Sequence, residues 1–266
     1  MPSERTRSQS AAPAPTRLER FGRQWPDAVL FTPMLVYLLL LAVRDYLPYD
    51  WRWVAALLRG AGGLAAVWTL RRFLPPWGRA HALTAALVAA LVAAGWYYGQ
   101  FFLNSIGVPH RIPLPLFPGK PAWQNPREIL ADTGGFWVDA FGENSVFWLD
   151  VATRILVAST TVAIVEELCW RVWLLRAFID WGRFEKLPLG TFTWFSFLGT
   201  SLLSTIQHPD NWAVSIPCWF AFNACMYWKR SVSFCVCVHG FTNLFLYLWV
   251  VYQGDVCGDA RAWMHW

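Results

Sequence analysis

The chain reads as an all-α protein, a polytopic transmembrane helix bundle of about seven spans (six to eight). Composition is the first observation. Of 266 residues, 56% are hydrophobic and only 15% charged, with 19 Trp and 19 Phe, whereas a soluble domain carries about 25% charged residues. The second is the grouping of apolar residues into blocks near the length that crosses a bilayer. The third is what separates the blocks: short basic connections and one long Pro-rich stretch.

In order, residues 1–26 are rich in Arg, Ser, Ala and Pro. They read as a disordered cytoplasmic tail, because the basic region is too long for a cleaved secretory signal. Glu4 and Glu19 argue against a transit peptide. Residues 27–103 hold three apolar blocks, 28–43, 53–70 and 81–103, the second interrupted by Arg59 and by GAGG at 60–63. Residues 104–145 form a Pro-rich loop, whose prolines forbid a regular helix. Apolar character returns over 146–181 and continues in blocks 192–207, 212–228 and 232–252, so that 146–253 forms the second half of the bundle. Residues 254–266 are a C-terminal tail.

Basic residues set the expected orientation. Arg5, Arg7, Arg17, Arg20 and Arg23, then Arg71, Arg72 and Arg79, then Arg176, Arg183 and Lys186, then Lys229 and Arg230 fall on one side if the spans alternate. By the positive-inside rule that side is the cytoplasm. Arg44, Arg52, Arg111, Lys120 and Arg127 lie on the other side, where long loops count for little. The formal net charge of +5 is thus assigned to loops and the lipid bilayer rather than to nucleic acid, for which no basic stripe interleaved with aromatics is present. The cysteines (Cys169, Cys218, Cys225, Cys235, Cys237 and Cys257) have no zinc spacing and read as small apolar fillers.

The chemistry-bearing residues are the polar ones inside the apolar blocks, each costing about 2.5–3.5 kcal/mol at a helix centre. In EELCWR, Glu167 and Arg171 are i and i+4 and share a helix face, so they can pair. Glu166 lies about 100° away and is left as the residue able to face a polar cavity as a general base. The alternative is that both carboxylates are interfacial and solvated. His208 ends an apolar block before Pro209, either as a site residue or as a plain helix terminus. His239 and Asn243, again i and i+4, project from one face of an apolar helix, which calls for mutual bonding or a shared ligand. His81, His110, His265 and Arg59 receive no role. HExxH, GxSxG, Walker A and GxGxxG motifs are absent.

Taken together, EExxxR at 166–171, His208 and HxxxN at 239–243 resemble the CAAX prenyl protease (CPBP) family of intramembrane endopeptidases, over about 146–252. VEELCWRVWLLR, PLGTFTWFSFLGTSLL and VHGFTNLFL are most similar to its bacterial CAAX prenyl protease-related subgroup, which accompanies exosortase systems. One position departs: Ser204 stands where the family pattern FxxxH has Phe. The resemblance implies a hydrolase of the bacterial cytoplasmic membrane that cleaves a membrane-associated protein or peptide without an acyl-enzyme. Glu166 with His208 would activate water, His239 and Asn243 would stabilise the oxyanion, and Glu167 with Arg171 would support the site. No metal cofactor is favoured. The metal-dependent alternative would place Zn²⁺ on Glu166, His208 and His239. Rival readings are a non-proteolytic scaffold or immunity-type protein, and a transporter. No oligomeric state is assigned.

Overall fold

A computed structural model describes residues 14–112 and 125–266. Among the described residues every regular element is helical. The helices are α1 (Arg17–Gln24), α2 (Pro26–Val43), α3 (Arg52–Leu70), α4 (Ala82–Ser105), α5 (Pro126–Thr133), α6 (Phe136–Phe141), α7 (Glu143–Ala177), α8 (Trp194–Gln207), α9 (Trp212–Lys229) and α10 (Val232–Val251). A wide π-turn continues α10 over Tyr252–Val256. A short 3₁₀ segment, Ala260–His265, follows.

Each apolar block of the sequence becomes a helix, and together they form an all-α membrane bundle. Five are long and apolar enough to cross a membrane, namely α2, α3, α4, α7 and α10. Of the other two, α8 has only 14 residues and α9 carries Asn223 and Lys229. They turn polar faces toward each other. Ser196, Thr200, Ser201 and Ser204 of α8 and Ser215 and Asn223 of α9 are all fully buried. Asn223 Nδ2 donates to Thr200 Oγ1 at 2.9 Å and Ser201 Oγ at 3.0 Å, and the Ser204 and Ser215 hydroxyls lie 3.0 Å apart. Such contacts hold helices together where water is absent. Thr193 caps α8. Pro209 stops it after 14 residues, about 21 Å of helix.

Burial is arranged for lipid. On α4, Leu83, Leu87 and Leu91 are 77%, 63% and 76% exposed while Ala85, Ala89 and Ala93 are buried. Small residues face the bundle and large apolar ones face outward, as expected where close backbone approach drives association. The GAGG stretch serves the same purpose. A Cβ on Gly60 would come within 2.8 Å of Val157, and one on Gly63 within 2.8 Å of Thr161, both on α7.

Three stretches differ from expectation. Residues 1–13 of the N-terminal tail lie outside the described residues, but Arg17–Gln24 is helical, started by a capping box between Thr16 and Glu19. Residues 113–124 of the Pro-rich loop, with Lys120, also lie outside them. The remainder of that loop contains α5. Pro126 does not prevent this helix because it occupies the first turn, where its missing N–H is not needed. The C-terminal tail is packed, with Ala262, Trp263, Met264 and His265 buried.

Candidate active site

The paired glutamates sit in a short α-helical stretch of α7, Ala163–Glu167, bracketed by two π-helical segments, Ala158–Val162 and Leu168–Leu174. π-Turns inside an α-helix recur at functional sites because they release backbone groups and re-aim side chains. Here the Ala158 carbonyl accepts from Asn243 Nδ2 at 2.8 Å. α10 approaches the same π-segment closely: a Cβ on Gly240 would collide with the Ser159 carbonyl oxygen. The residue next to His239 therefore lets the two helices meet.

Glu167 and Arg171 form the expected pair, fully buried, with Nη1–Oε1 at 3.1 Å. The guanidinium also lies 5.0 Å from the Trp219 ring and 5.1 Å from Phe222, an arrangement that stabilises a desolvated cation. The same Glu167 Oε1 meets His239 Nδ1 at 2.8 Å. A carboxylate can only accept, so Nδ1 carries the proton and Nε2 faces the other way. It faces Glu166, whose Oε2 is 3.8 Å off. The His239 ring is stacked on Phe222, with centroids 4.9 Å apart.

Glu166 is buried, but it is not without a partner. Its Oε1 accepts from Gln207 Nε2, while Oε2 has no hydrogen bond. The Gln207 amide is oriented by Trp170, whose indole N–H donates to Gln207 Oε1 at 2.7 Å. An indole can only donate, so the amide nitrogen must point to Glu166. Gln207 and Trp170 are the site residues the sequence did not single out. The signal was an amide side chain at the end of an apolar helix, adjacent to His208.

His208, which follows Gln207, ends α8. Its ring is held edge-on between Trp96 at 5.3 Å and Trp219 at 5.1 Å. Gln207, His208, His239 and Asn243 line one cavity of about 750 Å³. Glu166 does not itself line this cavity, contrary to expectation; it lies behind the lining, against Gln207 and His239, with Glu167 and Arg171 deeper still. Another expectation needs revision. His239 and Asn243 do not converge on a single point through all their donors, because His239 Nδ1 is committed to Glu167 and one Asn243 amide hydrogen to Ala158. His239 Nε2 and the second amide hydrogen of Asn243 are left for the cavity.

Ser204, at the position of the family's Phe, is fully buried, and its hydroxyl donates to Ser201 O at 2.6 Å. The serine belongs to the polar seam between α8 and α9, where an aromatic ring has no room. As for a metal, no group of three or more His, Cys, Asp or Glu side chains among the described residues is arranged to hold one. Glu166 Oε1 accepts from Gln207 and His239 Nδ1 meets Glu167, which leaves Glu166 Oε2 and His239 Nε2, 3.8 Å apart, as the free donor atoms of these two residues.

No curated protein and no solved structure matches the chain. Residues 148–245, a little over a third of its length, match the model of the family described as type II CAAX prenyl endopeptidase, Rce1-like. That stretch holds Glu166, Glu167, Arg171, Gln207, His208, His239 and Asn243, so it is in its site-bearing core that this chain is similar to a family of CAAX endopeptidases.

Proposed function

We propose that the protein is an intramembrane endopeptidase that hydrolyses a peptide bond of a membrane-associated protein with water activated by Glu166 and His208. The observation that carries this reading is the state of Glu166. One carboxylate oxygen is held by Gln207, while the other is buried without a hydrogen bond, 3.8 Å from an imidazole nitrogen. Such an acceptor is positioned for a proton.

The charges of the cluster support it. Glu166, Glu167 and Arg171 sum to −1 when ionised, and burying a net charge in a bundle interior is costly. The cluster is neutral in two forms: Glu166 ionised with imidazolium at His239, or Glu166 protonated with neutral imidazole. These hold the same number of protons and differ only in the place of one, on Oε2 or on Nε2 across the gap between them. In the first form Glu166 takes the proton of a water, which His208 on the cavity wall helps to hold, as the water oxygen attacks the peptide carbonyl carbon. His239 Nε2–H and the Asn243 amide then stabilise the oxyanion, the largest lever available in a dry site. As the C–N bond breaks, the proton on Glu166 passes to the leaving nitrogen. Glu167 fixes the His239 tautomer and stabilises its charge, as the aspartate does in a hydrolase triad. No step requires a metal. The end of the bundle carrying the basic connections is assigned to the cytoplasm, and the bacterial subgroup with its exosortase association belongs to this proposal.

The test is cleavage of a membrane-anchored peptide by the purified chain, read by mass spectrometry. Glu166→Ala should abolish the product, and a chelator should leave it unchanged. Product formed by Glu166→Ala at the parental rate would sink the assignment.

A further inference from the structure

The same cavity has a second polar wall that this chemistry does not use. Arg44, Arg52, Arg111 and Arg154 line it together with His239 and Asn243, and Asp210 is the acidic residue on its described lining. Several guanidinium groups meet carboxylates: Arg111 on this lining pairs with Asp210 at 3.0 Å, Arg127 with Asp255, and Arg171 with Glu167 at 3.1 Å, while buried Arg176 donates to the Val172 and Leu187 carbonyls. Arg52 and Arg154 have no such partner among the described residues. Asp150, buried one turn before Arg154, is near enough to both arginines to interact electrostatically but makes no direct ion pair with either among the described residues.

Both arginines are nonetheless held in place. Arg52 lies 3.8 Å over the ring of Tyr49, and Arg154 lies 4.6 Å over Trp266 and 5.5 Å from Tyr247. Stacking covers the faces of a guanidinium and leaves the N–H groups at its edge, the geometry that grips a carboxylate with two parallel hydrogen bonds. Arg44 adds to the positive field. With one buried carboxylate, Asp150, facing both Arg52 and Arg154, this wall of a cavity within a membrane bundle keeps an excess of positive charge that an anion would match.

Distance identifies the anion. His239, Asn243 and Tyr247 descend one face of α10 and all line the cavity. Eight residues of helix separate His239 from Tyr247, about 12 Å. An extended peptide covers that span in about three to four residues. We propose that Arg52 and Arg154 form a specificity subsite for acidic side chains of the substrate, three to four residues from the bond placed at Glu166 and His239. The position relative to the scissile bond rests on the peptidase reading; the binding of an acidic segment does not.

The test uses the full chain carrying Glu166→Gln in phosphatidylcholine vesicles, with binding read by tryptophan quenching. The probes are a peptide of alternating leucine and glutamate blocked at both ends, its leucine and glutamine counterpart, and the glutamine peptide with a free C-terminal carboxylate. The blocked glutamate peptide should bind about ten-fold or more tightly than the blocked glutamine peptide. Arg52→Gln with Arg154→Gln should erase the difference. Arg52→Lys with Arg154→Lys, which keeps the charge and the fold but loses the fork, should reduce it. Equal binding of the two blocked peptides overturns the proposal. So does a preference that neither double variant changes, binding confined to the free terminal carboxylate, or arginine dependence that appears only with phosphatidylglycerol, which would make the ligand a lipid headgroup. Cleavage by the unmodified chain and by Glu166→Ala is scored separately. An acidic preference in a chain that cleaves nothing refutes the peptidase reading and leaves the subsite standing.

Discussion

Glu166 and Glu167 are adjacent in sequence and buried to a similar degree, yet their environments assign them different duties. Glu167 holds two groups at once, Arg171 and His239. Removing it with Glu167→Ala leaves a fully buried arginine without its counter-ion, a loss of about 3–5 kcal/mol. The purified variant should therefore melt well below the parent and also fail to cleave. Glu166→Gln should do the opposite, losing the product while melting at or above the parental temperature, because an active-site carboxylate in a dry site is a burden on stability. If the two variants have the same melting temperature, this division of labour is wrong. The pairing of Glu167 with Arg171 was legible because i,i+4 spacing is local. The bond to His239 spans 72 residues and depends on how α7 and α10 pack, which no spacing rule reports. Gln207 was overlooked for a related reason: its amide acquires a direction only when Trp170 fixes one end of it.

At the scale of elements, hydrophobic blocks located α2, α3, α4, α7, α8, α9 and α10 but not α1, α5 or α6, because in a bundle the apolar length of a segment is set by the solvent around it. They did not reveal the two π-segments of α7, since wide turns leave composition and periodicity almost unchanged. Nor did they show that α8 and α9 face each other through polar side chains, although the run of Ser and Thr in SFLGTSLLST records it in hindsight. Pro126 misled because proline breaks a helix only beyond its first turn. The most sensitive contact between elements is Gly240 against the Ser159 carbonyl. A methyl group there meets backbone rather than a movable side chain, so α10 must retreat from α7. His239 and Asn243 would move with it, and displacements of about 1 Å cost on the order of a hundred-fold in rate. Gly240→Ala should thus lower kcat by about that factor while the chain stays folded and helical by circular dichroism. Full activity in this variant would show that the close approach of the two helices is not what positions the pair.

Over the whole molecule, the packing decides which ends of the helices lie together. Gly22 of α1 packs on Phe73, Gly78 on Ser231, and Gly190 on Arg230. The basic connections after α3, α7 and α9 and the segment before α2 therefore meet at one end of the bundle, as alternation of the spans required. The opposite end gathers Asp50 with Trp137, Arg111 with Asp210, and Arg127 with Asp255. The cavity runs toward that second end, since Arg111 and Asp210 share its lining with His208 and His239. If the basic end is cytoplasmic, the site is reached from the far side of the membrane, and its substrates are exposed there. The chain carries its own probe for this. Cys257 is exposed and follows Asp255 at the second end, whereas Cys169, Cys218, Cys225 and Cys235 are buried and Cys237 lies along α10. A membrane-impermeant maleimide added to intact cells should label Cys257. A Lys229→Cys variant in a Cys257→Ser background should be labelled only after lysis, because residue 229 sits at the basic end. The reverse pattern would invert the bundle, place the mouth of the cavity in the cytoplasm, and require an intracellular substrate for the same catalytic groups.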